Sequence, residues 1–219
     1  MALLGIGPKF KAYFPDYDLL ILEYVPGITC SPEIARDTRT IKLIVKTLRQ
    51  LHQSKPFQGL NNPFDFIRNS VELAKQKKSW LPPDIEVLMS NLKSLEDKLK
   101  FNPKVPCHMD LMIENLFLNK SNIKIIDWEY SANSDPRFDL AMISFKGRFE
   151  KEHDIILLKE YGEPELFNDI QLMKAVVALR EVAWGITQIA VSTISRDYKT
   201  YAEIDLEKFR KQMSALKIQ

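Results

Sequence analysis

The chain has 219 residues, of which 45% are hydrophobic and 27% charged, and its net charge of +2 gives no reason to expect a nucleic-acid partner. Two cysteines are too few for a disulfide framework or a cysteine metal site, and they favour a reducing, cytoplasmic setting. The longest uncharged stretch, at 182–195, is shorter than the about 20 apolar residues of a membrane-spanning helix, so no membrane partner is expected.

The chain is predicted to begin with two strands, at 9–14 and 19–25, joined by a turn that contains proline and two aspartates. A Pro-Gly pair then ends the extended run. Ser31 as N-cap and Pro32 at the first helical position predict a helix after this pair. Apolar residues recur at helical spacing along one face of that helix as far as Leu51.

A mostly helical body with one central hairpin is predicted for the rest of the chain, which together with the strands at the start indicates an α+β fold. The predicted helices are at about 63–77, 83–100, 139–147, 151–161, 164–195 and 203–217, and the short strands are at 105–107, 116–119 and 123–127.

One constellation of polar residues points to chemistry. His108, Asp110 and Asn115 lie between two predicted strands with the spacing H-x-D-x-x-x-x-N, in a chain that has only 3 histidines. Phosphoryl transfer needs a carboxylate that orients the substrate hydroxyl and accepts its proton, and Mg²⁺ on the ATP phosphates prefers oxygen ligands. Asp110 fits the first role. Asn115 and Asp127, which lies at the end of the next predicted strand after the apolar run IKII, fit the second.

Plainer roles compete with the functional ones at each position. His108 is more readily explained as a residue that braces the loop than as a proton shuttle. If Asp110 only capped a turn, the occurrence of Asn115 and Asp127 together would have no explanation. Glu129 fits a surface residue and a further metal ligand equally well, and Asp139 fits equally an N-cap of the next helix and a brace of the catalytic loop.

Two segments resemble the choline/ethanolamine kinase family of aminoglycoside-phosphotransferase-like kinases, especially bacterial choline kinases: CHMDLMIENLFLN at 107–119 and IKIIDWEYSANSDPRFDLA at 123–141. A glutamate two residues after the metal-binding aspartate is typical of choline and ethanolamine kinases. The resemblance implies a protein-kinase-like fold, ATP and Mg²⁺, and choline or a similar small amino alcohol as phosphoryl acceptor. The alternative within the same group of kinases is an enzyme that phosphorylates thiamine or an aminoglycoside.

The segment at 5–27 resembles the last strands of the family's N-terminal lobe and the hinge that follows. The resemblance implies that Glu23, Tyr24 and Val25 line the adenine pocket, chiefly through backbone groups. It also divides the chain into a remnant N-lobe with the hinge at 1–27 and a helical C-lobe at 28–219, with the catalytic loop at 108–115 and the metal-binding loop at 127–130.

Members of the family carry a phosphate loop, a strand lysine and a helix glutamate before this hinge segment. Gly5 and Gly7 do not form such a loop. Since phosphoryl transfer depends on positioning the phosphates, their lack predicts weak ATP binding and slow turnover. The alternative to an active kinase is a catalytically impaired, kinase-like binding protein. A second copy of the chain in a homodimer, or a partner that supplies the rest of the N-lobe, is a further expectation.

An acceptor pocket for a quaternary ammonium group needs aromatic faces and carboxylates. Glu181 and Trp184 lie three positions apart on one side of a predicted helix and are candidates, and Tyr130 is a candidate for the pocket's border. The plainer interpretation, with Trp184 in the core and Glu181 paired to a neighbouring Arg or Lys, is at least as well supported.

Overall fold

The computed structural model describes residues 1–102 and 105–217. None of the helices in these residues has the length and apolarity that crossing a bilayer requires. The strands are β1 Phe10–Phe14, β2 Leu19–Leu22, β3 Ile28–Thr29, β4 Val105–Cys107, β5 Leu116–Asn119, β6 Asn122–Ile125 and β7 Ala132–Ser134. The helices are α1 Pro32–Ala35, α2 Thr38–His52, α3 Pro63–Lys77, α4 Ile85–Leu99, α5 Pro136–Lys146, α6 Lys151–Tyr161, α7 Phe167–Val191 and α8 Tyr198–Leu216.

These elements confirm the α+β prediction. The predicted helix that begins at Pro32 is wrong as a single element, because α1 ends at Ala35 and α2 begins anew. Asp37 causes this break: its carboxylate accepts the backbone N–H of Thr40 at 3.0 Å, so Asp37 caps α2 with extended rather than helical dihedrals. The second predicted strand is also shorter than expected and ends at Leu22.

Two compact units make up the chain. The first contains Met1–Leu60 and Lys104–Phe167, and the second contains Asn61–Pro103 and Asn168–Gln219. The sequence-based boundary at residue 27 falls inside the first unit and stays a prediction. The predicted ranges that include 103–104 and 218–219 lie partly outside the described residues.

Three small antiparallel sheets belong to the first unit. β1 pairs with β2, β4 pairs with β7, and β5 forms the centre of a sheet with β3 on one side and β6 on the other. The β1–β2 hairpin exposes apolar side chains along both strands, with Phe10 63% and Leu20 53% exposed. Helices α2, α5 and α6 supply the apolar core of this unit, since their inward residues are almost fully buried.

The second unit is helical in its described residues and consists of α3, α4, α7 and α8. The apolar face of α4 repeats at helical spacing, with Leu88, Leu92, Leu95 and Leu99 all buried. Helix α7 is buried over most of its length, including the charged residues Arg180 and Glu181.

Candidate active site

The pairing of β3 with β5 places the predicted hinge close to the predicted catalytic loop within the first unit. Ile28 lies opposite Leu118, and the N–H of Cys30 donates to the carbonyl of Leu116 at 2.8 Å. Leu116 directly follows Asn115, the last residue of the motif. The segment Glu23–Val25 therefore connects a hairpin to a strand that runs toward Asn115.

His108 is the centre of the arrangement and has no solvent exposure. Its Nδ1 accepts the backbone N–H of Asp110 at 3.3 Å, and its Nε2 lies 3.0 Å from the carbonyl oxygen of Ile126. The indole of Trp128 packs on the imidazole with ring centroids 4.6 Å apart. The ring therefore joins the loop that carries Asp110 to the loop that carries Asp127.

Both ring nitrogens of His108 are engaged, with the hydrogen on Nε2 and an acceptor at Nδ1. Burial lowers the pKa of His108 below its ordinary value, and the nearby negative charges of Asp139, Asp110 and Asp127 only partly oppose this effect. The imidazole is thus neutral near pH 7. These contacts support a bracing role for His108.

Asn115 and Asp127 meet the requirements of a magnesium site in their chemistry. The side-chain N–H of Asn115 donates to the carbonyl of Asp110 at 3.4 Å, which leaves the amide oxygen of Asn115 as the atom suited to a cation. Asp127 has a φ of 63° and an exposed side chain, and aspartate is among the few non-glycine residues that adopt this left-handed conformation readily. An amide oxygen and a carboxylate are hard donors, which fit Mg²⁺ better than they fit a soft metal.

Asp139 braces the catalytic loop. It is fully buried, and its Oδ2 accepts the N–H of His108 at 2.8 Å while its Oδ1 accepts the N–H of Met109 at 2.9 Å. Met109 has a φ of 68°, a strained conformation for a non-glycine residue, and it immediately precedes Asp110. Of the two roles open from the sequence, the contacts support the brace, while Asp135 caps α5 by accepting the N–H of Arg137.

His52 is a buried partner of Asp139 that the sequence analysis did not identify. Its Nε2 lies 3.1 Å from Oδ2 of Asp139, and its Nδ1 lies 2.8 Å from the hydroxyl of Tyr161. Burial alone would raise the pKa of Asp139, but its hydrogen bond with His52, its attraction to both histidines and the amide of His108 hold that pKa below its ordinary value. The carboxylate is therefore ionised.

One group of potential metal ligands occurs among the described residues, at His52, Cys107 and Asp139, whose donor atoms lie within 4.8 Å of one another. Burial, reinforced by the nearby Asp139 and Asp135, raises the pKa of the Cys107 thiol, so a metal-binding thiolate is disfavoured there. Both carboxylate oxygens of Asp139 already accept backbone amides. We interpret this group as a hydrogen-bonded brace.

The remaining residues predicted to bind the metal, border the acceptor pocket or contact the adenine differ in how far they are exposed to solvent. Glu129 is exposed and Tyr130 is half-buried, two and three residues after Asp127. Tyr24 is 84% exposed, whereas Val25 is buried. All four stay predictions as ligand or pocket residues.

The acceptor candidates Glu181 and Trp184 lie on α7, in the second unit. Glu181 is buried, and its two oxygens accept the guanidinium of Arg180 at 2.8 Å and the hydroxyl of Tyr201 at 2.7 Å. Trp184 is half-buried and makes edge-on contacts with Tyr201 at 5.3 Å and Tyr198 at 5.8 Å between ring centroids. The contacts of Glu181 support its plainer role as an ion-pair partner, while Trp184 stays a prediction as an acceptor contact.

Comparison with known proteins places these features in a family context. The model of the phosphotransferase enzyme family matches residues 7–174. A LicA homologue of Mycoplasma capricolum is 29% identical over 79% of this chain and 69% of its own length. Human ethanolamine kinase 2 is 26% identical over 95% of this chain and 63% of its own length.

The fold is likewise shared with solved structures. A choline/ethanolamine kinase family protein from Mesorhizobium loti aligns with a TM-score of 0.85 and 26% identity, covering 97% of this chain and 76% of that one. The chain spans between 36% and 69% of the length of the first four curated relatives that it matches. The predicted protein-kinase-like fold and the resemblance to choline/ethanolamine kinases are confirmed.

Proposed function

The chain belongs to the phosphotransferase enzyme family, within its choline/ethanolamine kinase branch, and from this premise we propose that it transfers the γ-phosphoryl group of ATP to the hydroxyl of choline or a similar small amino alcohol. The observation that carries the proposal is the buried ring of His108, which joins the loop of Asp110 to the loop of Asp127. Phosphoryl transfer depends mainly on this kind of positioning.

Asp110 is the proposed base. As the acceptor oxygen bonds to the γ-phosphorus and the bond from phosphorus to the ADP oxygen breaks, the hydroxyl proton passes to the carboxylate of Asp110. Asn115 and Asp127 are the proposed ligands of Mg²⁺, with Glu129 as a further candidate. When bound, the cation neutralises charge on the phosphate oxygens.

The hinge segment Glu23–Val25 is the proposed contact for adenine, because β3 leads from it to β5 and the catalytic loop. For the acceptor, Tyr130 in the first unit and Trp184 in the second stay separate candidate contacts of a quaternary ammonium. Two buried, unpaired cysteines suit a reducing compartment, and a cytoplasmic setting is part of the proposal.

The choice of acceptor can be tested with a panel of alcohols. We expect phosphocholine or phosphoethanolamine to accumulate when the chain is incubated with ATP, Mg²⁺ and choline or ethanolamine, and no product when the cation is chelated. ³¹P NMR of the mixture distinguishes each phosphomonoester from ATP. Thiamine and an aminoglycoside serve as competing acceptors; phosphorylation of one of these alone would reject the amino-alcohol assignment, and no product with any acceptor would reject activity of this chain.

The β1–β2 hairpin favours a second candidate, a kinase-like module that needs another polypeptide to cover this hairpin. Leu19, Leu20, Ile21 and Leu22 are each between 41% and 53% exposed, and exposed apolar strands promote pairing with further strands. A second copy of the chain or separate N-lobe strands would suit this surface. Calorimetry with Mg-ATP distinguishes the candidates, since micromolar binding by the chain alone would count against the second.

A further inference from the structure

We propose that Tyr161 is a positioning residue for the catalytic loop, acting through His52 and Asp139 on the backbone that presents Asp110. The inference rests on the proposed function, because its kinetic part requires Asp110 to act on a substrate. All the residues concerned lie in the first unit.

A continuous path of short contacts runs from Tyr161 to the catalytic loop. The hydroxyl of Tyr161 lies 2.8 Å from Nδ1 of His52, and Nε2 of His52 lies 3.1 Å from Oδ2 of Asp139. Asp139 then accepts the amides of His108 and Met109 at 2.8 and 2.9 Å. Every residue between Tyr161 and Asp110 on this path is buried.

The direction of each hydrogen bond follows from the carboxylate. An ionised carboxylate only accepts, so the hydrogen of the His52 ring must be on Nε2, and Nδ1 of a neutral ring is then an acceptor. The hydroxyl of Tyr161 is therefore the donor to Nδ1. Asp139 thus selects the tautomer of His52, and Tyr161 holds the ring in the orientation in which Nε2 faces Asp139.

Loss of the Tyr161 hydroxyl would affect the catalytic loop indirectly, through His52 and Asp139. Without a donor, Nδ1 becomes a buried acceptor with no partner, and the ring relieves this cost by rotating or shifting from its place. Such a movement weakens the hydrogen bond from Nε2 that Asp139 accepts. The carboxylate then holds less firmly the amide of Met109, whose φ of 68° depends on its surroundings.

Tyr161→Phe is the decisive variant, because it keeps the ring that contacts His52 edge-on at 5.7 Å and removes only the hydroxyl. We expect kcat to fall by about 2- to 10-fold, the effect of one hydrogen bond, with KM for both substrates unchanged. We also expect the amides of His108 and Met109 to exchange with solvent faster by a similar factor. ¹⁵N NMR of the His52 imidazole should show hydrogen on Nε2 in the wild type, and in Tyr161→Phe an Nδ1 resonance shifted to that of a ring nitrogen without a hydrogen-bond donor.

Tyr201→Phe is the matched control for the exchange and ¹⁵N measurements, since it removes a hydroxyl that donates to Glu181 in the second unit. An unchanged Nδ1 resonance and wild-type exchange rates in Tyr161→Phe would overturn the inference, as would a doubly protonated His52 in the wild type at neutral pH. A shifted Nδ1 resonance and faster exchange together with an inactive wild type would support the link through His52 and reject the proposed kinase activity instead.

Discussion

Replacing Asp110 with asparagine is expected to lower kcat by about 10²- to 10⁴-fold, the usual contribution of a positioned general base. An amide keeps the size and the hydrogen-bonding shape of the side chain but cannot accept the proton of the substrate hydroxyl. The backbone N–H of residue 110 would still donate to Nδ1 of His108, so the loop is expected to keep its conformation. KM for ATP is therefore expected to change little, and steady-state kinetics with choline separates the two constants.

Asp65→Asn is the matched control for this substitution. Asp65 lies in the first turn of α3, where its exposed carboxylate accepts hydrogen bonds from Asn62 and Arg68. The control should leave kcat unchanged. If Asp110→Asn turned over as fast as the wild type while its unfolding transition was intact, the assignment of Asp110 as base would be rejected.

Replacing Asp139 with asparagine is expected to lower the free energy of unfolding by about 2–5 kcal/mol, which is large relative to the stability of a typical domain. The ionised carboxylate accepts hydrogen bonds from two backbone amides and from His52. A neutral amide can accept at its oxygen only, and its NH₂ group would face a donor. Urea unfolding at pH 7 measures the loss, again with Asp65→Asn as control.

The pH dependence of stability gives this prediction a second test. The pKa of Asp139 is lower in the folded protein than its ordinary value of 3.8, so the stability that it contributes is present above pH 3.8 and is lost as the pH falls below that value. The wild type should lose stability more steeply in acid than Asp139→Asn. Equal acid dependence of the two proteins, or a loss at pH 7 no larger than that of the control, would contradict the bracing role.

The motif was predictable because its parts are close in the sequence. His108, Asp110 and Asn115 lie within one loop, and a hairpin of four-residue strands brings Asp127 back to it. Local spacing also predicted the bounds of two helices, Pro63–Lys77 and Lys151–Tyr161, since proline or glycine marks one end of each and apolar residues repeat along them.

The brace behind the motif was not predictable, because its contacts join distant parts of the chain. Tyr161 lies 109 positions from its partner His52, and no local pattern links them. His52 itself did leave a signal: it lies one helical turn after Leu48 on the buried face of α2, where a polar residue needs a partner. Strand β3 was missed because two residues are too few to show an alternating pattern, and β7 was missed because its sequence, Ala-Asn-Ser, has no β-branched or aromatic residue.

Crystals grown with Mn²⁺ and a non-hydrolysable ATP analogue provide the most direct test of the central claim, that Asn115 and Asp127 hold a cation beside Asp110. The predicted result is an anomalous scattering peak about 2 Å from the side-chain oxygens of Asn115 and Asp127, the bonding distance of a small divalent cation. A peak at His52, Cys107 and Asp139 instead, or nucleotide bound with no cation near residues 115 and 127, would contradict the claim.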